Sequence, residues 1–263
     1  MKILKNLVIR LLNFTSFIKK YWVVERDEIQ YKLDISKVID FAIFARGGWE
    51  QNTLRFLKNY LKPGHVVIEV GSNIGAHTLL IGKLVSSSGL VFAIEPTDFA
   101  HKRLVENLAL NPKIENIQVF KALVSNSSLE VPRLEINADW SLDHLQDSEI
   151  LVNPLVITID QLVQNSKVER IDLLKIDVDG YDFKVLCGAT NSIARFKPVV
   201  FCELCEYALN AQNDSIADIF KLFDSLGYIC ENEQDGTLLT LNQALDLVGL
   251  STSINGVFRP IKI

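Results

Sequence analysis

"IEVGSNIGAHT" (68–78) places a carboxylate, Glu69, and two glycines, Gly71 and Gly75, between an apolar run and the start of a helix. The run that leads into it, "HVVIEVG" (65–71), is short and β-branched, as a buried strand is, and from about Ala76 to Val85 the spacing turns helical. In an α/β sheet the turn after the first strand comes closest to a ligand. Its spacing decides which ligand. A pyrophosphate wants G-x-G-x-x-G, whereas here the pattern is G-x-x-x-G with Asn73 in place of the middle glycine, and no G-x-x-x-x-G-K-[ST] cradle is present. What remains is an adenosyl group without phosphates.

Outward from this turn the punctuation is regular. "LVFAIEP" (90–96) reads as a second strand, and Thr97 or Asp98 caps a helix that runs to about Asn111. "IQVFKALV" (117–124) reads as a third strand, while "IDLLKIDVDG" (171–180) and "PVVFCEL" (198–204) each lead into a helix. The second of those helices has Ser215 as N-cap and Gly227 as its stop. "YICENE" and "TLLTL", joined through Asp235-Gly236, read as a β-hairpin. Alternating strands and helices predict an α/β, Rossmann-like, mostly parallel sheet with helices on both faces and a C-terminal antiparallel hairpin. Residues 125–155 break the rhythm and form the expected substrate-facing loop, with Asp139, Trp140 and His144 as its candidate acceptor contacts.

The chain of 263 residues, 48% of them hydrophobic, buries one substantial core. A net charge of −5 supplies no global basic field, so nucleic acid is not the expected partner. Four cysteines, at 187, 202, 205 and 230, form no disulfide framework in so core-rich a chain, and a reduced, cytoplasmic setting is expected. "MKILKNLVIRLLNFTSFIKKYW" (1–22) has five basic and no acidic residues, with one apolar stripe at helical spacing. It is too short and polar to span a bilayer. It reads as a helix packed on the domain or a partner, or one lying on an anionic membrane surface. Residues 1–50 are set apart as a helical N-terminal region, ending near Gly47 and Gly48, and 51–263 as the main domain.

The acidic residues fit the adenosyl reading. Glu95 ends the second strand, where a carboxylate accepts from both ribose hydroxyls, and Glu69 is placed to face a charged amino-acid moiety. A ribose with a charged amino-acid tail describes S-adenosylmethionine.

These residues also carry a family resemblance. "VVIEVGSNIGAHTLL", "FAIEP", "ITIDQL", "DLLKIDVDGYDFKVLCGA" and "PVVFCE", in this order over about residues 47–240, resemble the FkbM family of class I S-adenosylmethionine-dependent methyltransferases. The resemblance implies a seven-stranded sheet ending in an antiparallel hairpin, and methyl transfer to a hydroxyl of a sugar, glycan or natural-product acceptor. It places the cofactor against Glu69, Gly71, Ser72, Asn73, Gly75, Thr78, Glu95, Pro96 and Leu123. Departures from the family pattern are Glu69 for an aspartate, Ser72 for a smaller residue, and Asp179 and Asp182 for glutamates.

Transfer from a sulfonium to an alcohol needs the reacting atoms in line and the hydroxyl proton removed. Asp177, ending the fourth strand, is the first candidate for base or cofactor-amine ligand and Asp179 the second, with helix capping as the plainer alternative for both. His77 reads as a helix residue near the cofactor, His144 as another conceivable base, and Glu203 as an acceptor contact. Cys202-x-x-Cys205 lacks the second ligand pair a zinc site needs, so no metal site is assigned, and the sequence neither requires nor excludes a divalent cation held by Asp177 and Glu203. A nicotinamide-dependent oxidoreductase and a non-catalytic adenosyl-binding module stand as the alternatives.

Overall fold

The computed structural model describes residues 21–129, 131, 133–140, 146–249 and 252–261. The predicted amphipathic helix lies outside them except for Tyr21 and Trp22, and so does His144. The first elements are an antiparallel hairpin of β1 (Trp22–Arg26) and β2 (Ile29–Leu33), then α1 (Val38–Arg46) and α2 (Gln51–Tyr60). Strand–helix alternation follows: β3 (Val66–Val70), α3 (Thr78–Val85), β4 (Leu90–Ile94), α4 (Asp98–Ala109) and β5 (Ile117–Phe120). An excursion then runs through β6 (Leu123–Val124), β7 (Arg133–Trp140), β8 (Gln146–Val152) and β9 (Val156–Ile157) to α5 (Ile159–Ser166). The chain returns with β10 (Leu173–Ile176), α6 (Asp182–Cys187), α7 (Thr190–Phe196), β11 (Val199–Leu204), α8 (Glu206–Ala211) and α9 (Ile216–Ser225). It ends with β12 (Tyr228–Asn232), β13 (Leu238–Leu239), α10 (Leu241–Val248) and β14 (Ile254–Pro260).

The main sheet has eight strands in the order β13-β12-β14-β11-β10-β3-β4-β5. From β11 to β5 the pairs are parallel; β14 runs antiparallel between β11 and β12, and β13 completes the predicted hairpin with β12. The predicted mostly parallel sheet with its terminal hairpin is therefore present, with a two-residue eighth strand at its edge. Parallel strands covered on both faces need continuous apolar runs. Val67 to Val70, Leu173 to Ile176 and Val199 to Cys202 are all buried. Ile68, Phe92, Leu174 and Val200 pack beneath α5, α6, α7 and α9, whereas Val67, Val91 and Phe201 pack with Leu57 of α2 and Ile81 of α3. Strand order reverses at β3, whose neighbours β4 and β10 precede helices on opposite sides. Such a switch point opens a crevice at the carboxyl ends of the strands.

Four details differ from the sequence reading. The third strand breaks at Lys121 and Ala122, so that β6 leaves the main sheet and pairs with β9. The helix after Gly180 divides at Gly188, where a Cβ would lie 2.1 Å from the Ser125 carbonyl oxygen. Residues 133–140 and 146–152 pair as antiparallel strands with a bulge near Asn137 instead of an irregular loop. Residues 22–33 form strands, and they share a core with the sheet domain: Ile29, Tyr31 and Leu33 pack with Leu54, Ile74 and Leu79. The edge of β2 is closed by side chains of α4 and of the turn that follows it. Asn107 accepts from the Lys32 amide at 2.8 Å, and Asn111 both accepts from the Gln30 amide and donates to its carbonyl. Arg103 adds a buried ion pair to Asp40 at 2.5 Å.

Candidate active site

Gly71 is required by a crossing of two chain segments. Its φ is +85°, and a Cβ there would sit 1.9 Å from the carbonyl oxygen of Asp177. The turn after β3 and the turn after β10 are thus in backbone contact, which seats the Gly71–Gly75 stretch beside Asp177. Gly75, at φ +89°, leaves room for Leu104 of α4.

Glu95 holds this turn from the β4 side. One carboxylate oxygen accepts from the Asn73 amide at 3.0 Å; the other accepts from the Thr97 amide at 3.0 Å and the Thr97 hydroxyl at 2.5 Å. Burial pushes its carboxyl above the ordinary range while these donors pull the other way. A carboxylate accepts about four hydrogen bonds, so one position on the Asn73 side stays open to a further donor. Asn73 itself is held at φ +47°. Thr97, as predicted, caps α4 through its side chain.

Beneath the turn lies a buried charge network. Lys175 and Glu69 are register partners on β10 and β3, and each is 1% exposed. The Lys175 ammonium stands 3.8 Å from Glu69 and 3.3 Å from Asp177, whose side chain is 30% exposed. Thr78 donates to Glu69 at 2.6 Å. Burial alone would lower the Lys175 pKa, but Asp177, Glu69 and Glu50 together raise it, so the side chain stays a cation. His77 is the converse: burial, then the Lys175 charge, press it down to about 3. It is neutral, and its 3.9 Å approach to Glu50 is no ion pair.

Around this network the carboxyl groups outnumber the cation. Burial first and Asp177 second raise Asp179 to about 6, Asp182 to about 7, Glu50 to about 7 and Glu203 to about 8. Asp182 caps the turn by accepting from the Gly180 amide at 3.1 Å, and Asp179 is held at φ +49°. Of the described basic residues, Lys175 is the one ion-paired within this group. A cation entering among these carboxyl groups displaces the protons that burial keeps on them, so the site suits a cationic ligand.

The predicted cofactor residues Glu69, Gly71, Ser72, Asn73, Gly75, Thr78 and Glu95 are gathered on the turn and its neighbours, with Pro96 directly after Glu95. Leu123 is buried on β6, where the chain leaves the main sheet. Asp177 and Asp179 share the β10 turn, and Glu203 faces them from β11. Of the four predicted acceptor contacts, His144 lies outside the described residues. Asp139 and Trp140 end β7, their side chains outside the described set. That hairpin docks through Glu149, whose carboxylate accepts from the Asp98 and Phe99 amides at the start of α4. Glu203 stands three strands from β4 in the sheet order, about 14 Å at ordinary strand spacing. Lys175 was missed as a site residue, although a lysine inside the apolar "LLKI" is itself a signal of a buried counter-charge. Glu233 carries no such signal, and Asp182 is marked in the sequence only as a departure from the family pattern.

A family model described as the methyltransferase FkbM domain matches residues 69–230, from the Glu69 of this turn to Cys230 of the terminal hairpin. The chain belongs to the FkbM methyltransferase domain family. Among curated proteins, hexuronic acid methyltransferase AglP of Haloferax volcanii is 29% identical over 144 residues, 55% of this chain and 58% of that protein. The chain thus spans less than two-thirds of this relative. Among solved structures, methyltransferase FkbM of Methylobacillus flagellatus aligns at 14% identity over 78% of this chain and 50% of that one, with a TM-score of 0.47. M. jannaschii TYW2 in complex with AdoMet aligns at 16% identity over 92% and 88%, with a TM-score of 0.44. No helix among the described residues is long and apolar enough to cross a membrane.

Proposed function

We propose that this FkbM protein is an S-adenosylmethionine-dependent O-methyltransferase whose acceptor is a sugar hydroxyl. The observation that carries the reading is the set of buried carboxylates at the strand ends of β3, β4, β10 and β11, with Lys175 as their ion-paired cation. When bound, S-adenosylmethionine supplies an electrophilic methyl group on a sulfonium, and its sulfonium and ammonium are the charges such a pocket lacks. Glu95 binds the ribose with its open acceptor position while its other bonds fix the Asn73 turn. Lys175 lies 3.3 Å from Asp177 at the rim of the site, where the partly exposed Asp177 carboxylate accepts the acceptor's hydroxyl proton. Asp182 and Glu69 orient the two turns that carry Asp177 and Gly71. That the Haloferax relative is a hexuronic acid methyltransferase supports a sugar as the acceptor class.

Calorimetric titration with S-adenosylmethionine, S-adenosylhomocysteine and NAD tests this. Micromolar adenosyl binding that weakens in Glu95→Gln, without binding of NAD, is expected. Glutamine replaces one carboxylate oxygen by a donor, so either the Thr97 donors or the Asn73 amide and the ribose lose their acceptor. Folded protein that binds neither adenosyl ligand would end the enzyme reading.

A further inference from the structure

A cavity of about 250 Å³ opens between the N-terminus of α2 and the chain entering β14. Its lining is polar, with Glu50, Gln51 and Asn52 on one side and Glu233, Ser253 and Asn255 on the other. No lysine or arginine is among its described lining residues. Two connections tie it to the carboxylates at the strand ends. The Glu50 carboxylate, 3.9 Å from the His77 ring, feels the charges of Asp177 and Lys175. On the other wall Ser253 hydrogen-bonds the Glu203 side chain.

The donors inside the cavity do not satisfy its acceptors. Thr53 is fully buried and has a single hydroxyl hydrogen, which goes to Glu233 at 2.6 Å; Glu50 is left at 3.3 Å from the same oxygen. Glu233 takes a second bond from the Asn255 amide at 3.1 Å, so it is fixed while Glu50 is short of donors. Gln51 spends its side-chain amide on the Arg46 and Gly48 carbonyls. The cavity therefore presents acceptors to whatever enters it. Hydroxyl groups match that surface. A carboxylate brought among Glu50 and Glu233, with no cation in the lining to meet it, is repelled.

We propose that this cavity is the acceptor subsite and that it takes a sugar ring bearing free hydroxyls and no carboxylate. The inference rests on the methyltransferase reading and narrows it to neutral sugars, with uronic acids rejected.

The test uses the full chain saturated with S-adenosylhomocysteine, whose binding is first established by calorimetry so that a failure of the methyltransferase reading is seen separately. Methyl glucoside and methyl glucuronide are then compared by saturation-transfer NMR at pH 8, above the value of about 7 to which Glu50 is held. The glucoside is expected to bind at least tenfold more tightly. Glu233→Gln is expected to narrow that preference severalfold with the S-adenosylhomocysteine affinity unchanged. Glu50→Gln is a second variant, read by the glycoside preference alone, should the first fail to fold. Equal or tighter binding of the glucuronide, binding of neither glycoside, or a preference indifferent to both substitutions would overturn the proposal.

Discussion

Replacing Lys175 by methionine removes the cation that two carboxylates share. Methionine fills a similar volume, so the change is electrostatic more than steric. Glu69 is then left fully buried with the Thr78 hydroxyl as its 2.6 Å donor, and Asp177 loses its 3.3 Å partner. Breaking a buried pair from one side costs about 3–5 kcal/mol, a large part of the stability of an ordinary domain. At 2–4 °C per kcal/mol this lowers the melting temperature by roughly 6–20 °C. Burial already pushes the Glu69 pKa up, and Lys175 is the strongest influence opposing it. In the variant the folded state holds on Glu69 a proton that the unfolded chain releases above about pH 4.3, so the deficit grows as pH rises. Urea unfolding followed by tryptophan fluorescence at pH 5.5 and pH 8 reads both quantities. The double variant with Glu69→Gln has no buried charge to compensate and should recover more than a third of the loss at pH 8. If Lys175→Met cost less than about 1 kcal/mol at both pH values, or gained nothing from Glu69→Gln, the network would not be the ionised pair described.

Three further outcomes are expected. Asp179, Glu50, Asp182 and Glu203, held at about 6, 7, 7 and 8, keep protons that a nearby cation displaces. S-adenosylmethionine should thus release more protons on binding at pH 7 than S-adenosylhomocysteine, which lacks the sulfonium; calorimetry in buffers of different ionisation enthalpy measures the difference, and equal release would contradict it. Gly71→Ala places a methyl 1.9 Å from the Asp177 carbonyl oxygen at a φ of +85°, so it should cost at least ~2 kcal/mol and abolish adenosyl binding in the fraction that folds, read by thermal melting and titration. Glu149→Ala leaves two amides at the start of α4 without their acceptor; it should cost about 1 kcal/mol and speed limited proteolysis within residues 133–152, and an unchanged digestion rate would count against docking through Glu149.

The main sheet was legible because its strands are buried on both faces and read as plain apolar runs; Val66–Val70, Leu90–Ile94 and Val199–Leu204 fall inside the predicted spans. The β1–β2 hairpin was not, because its turn is Asp27-Glu28, both at positive φ without glycine, so the usual dipeptide signal is missing. β14 was hidden for the opposite reason. Asn255-Gly256 carries turn chemistry, yet Gly256 lies in mid-strand between β11 and β12, where a Cβ would meet Leu204 at 3.0 Å and Cys230 at 3.1 Å. In the candidate site, residues of the glycine turn and the strand ends could be named because motif spacing fixes them. Glu233 could not, since it meets Thr53 across 180 residues of chain and only the closed fold brings the two together.

The short parallel pairing of β6 with β9 has a consequence for how such a protein diversifies. Leu123 lies opposite Val156 and Val124 opposite Ile157, with the Leu123 and Ser125 amides donating to the Leu155 and Ile157 carbonyls at 2.8 and 3.0 Å. The chain leaves and re-enters the domain through this clasp, and none of the main-sheet pairings lies between its halves. Everything strung from residue 125 to residue 155 is therefore a cassette. It can be lengthened, shortened or exchanged between relatives while the register of the eight-stranded sheet and the geometry of the Gly71 crossing stay as they are.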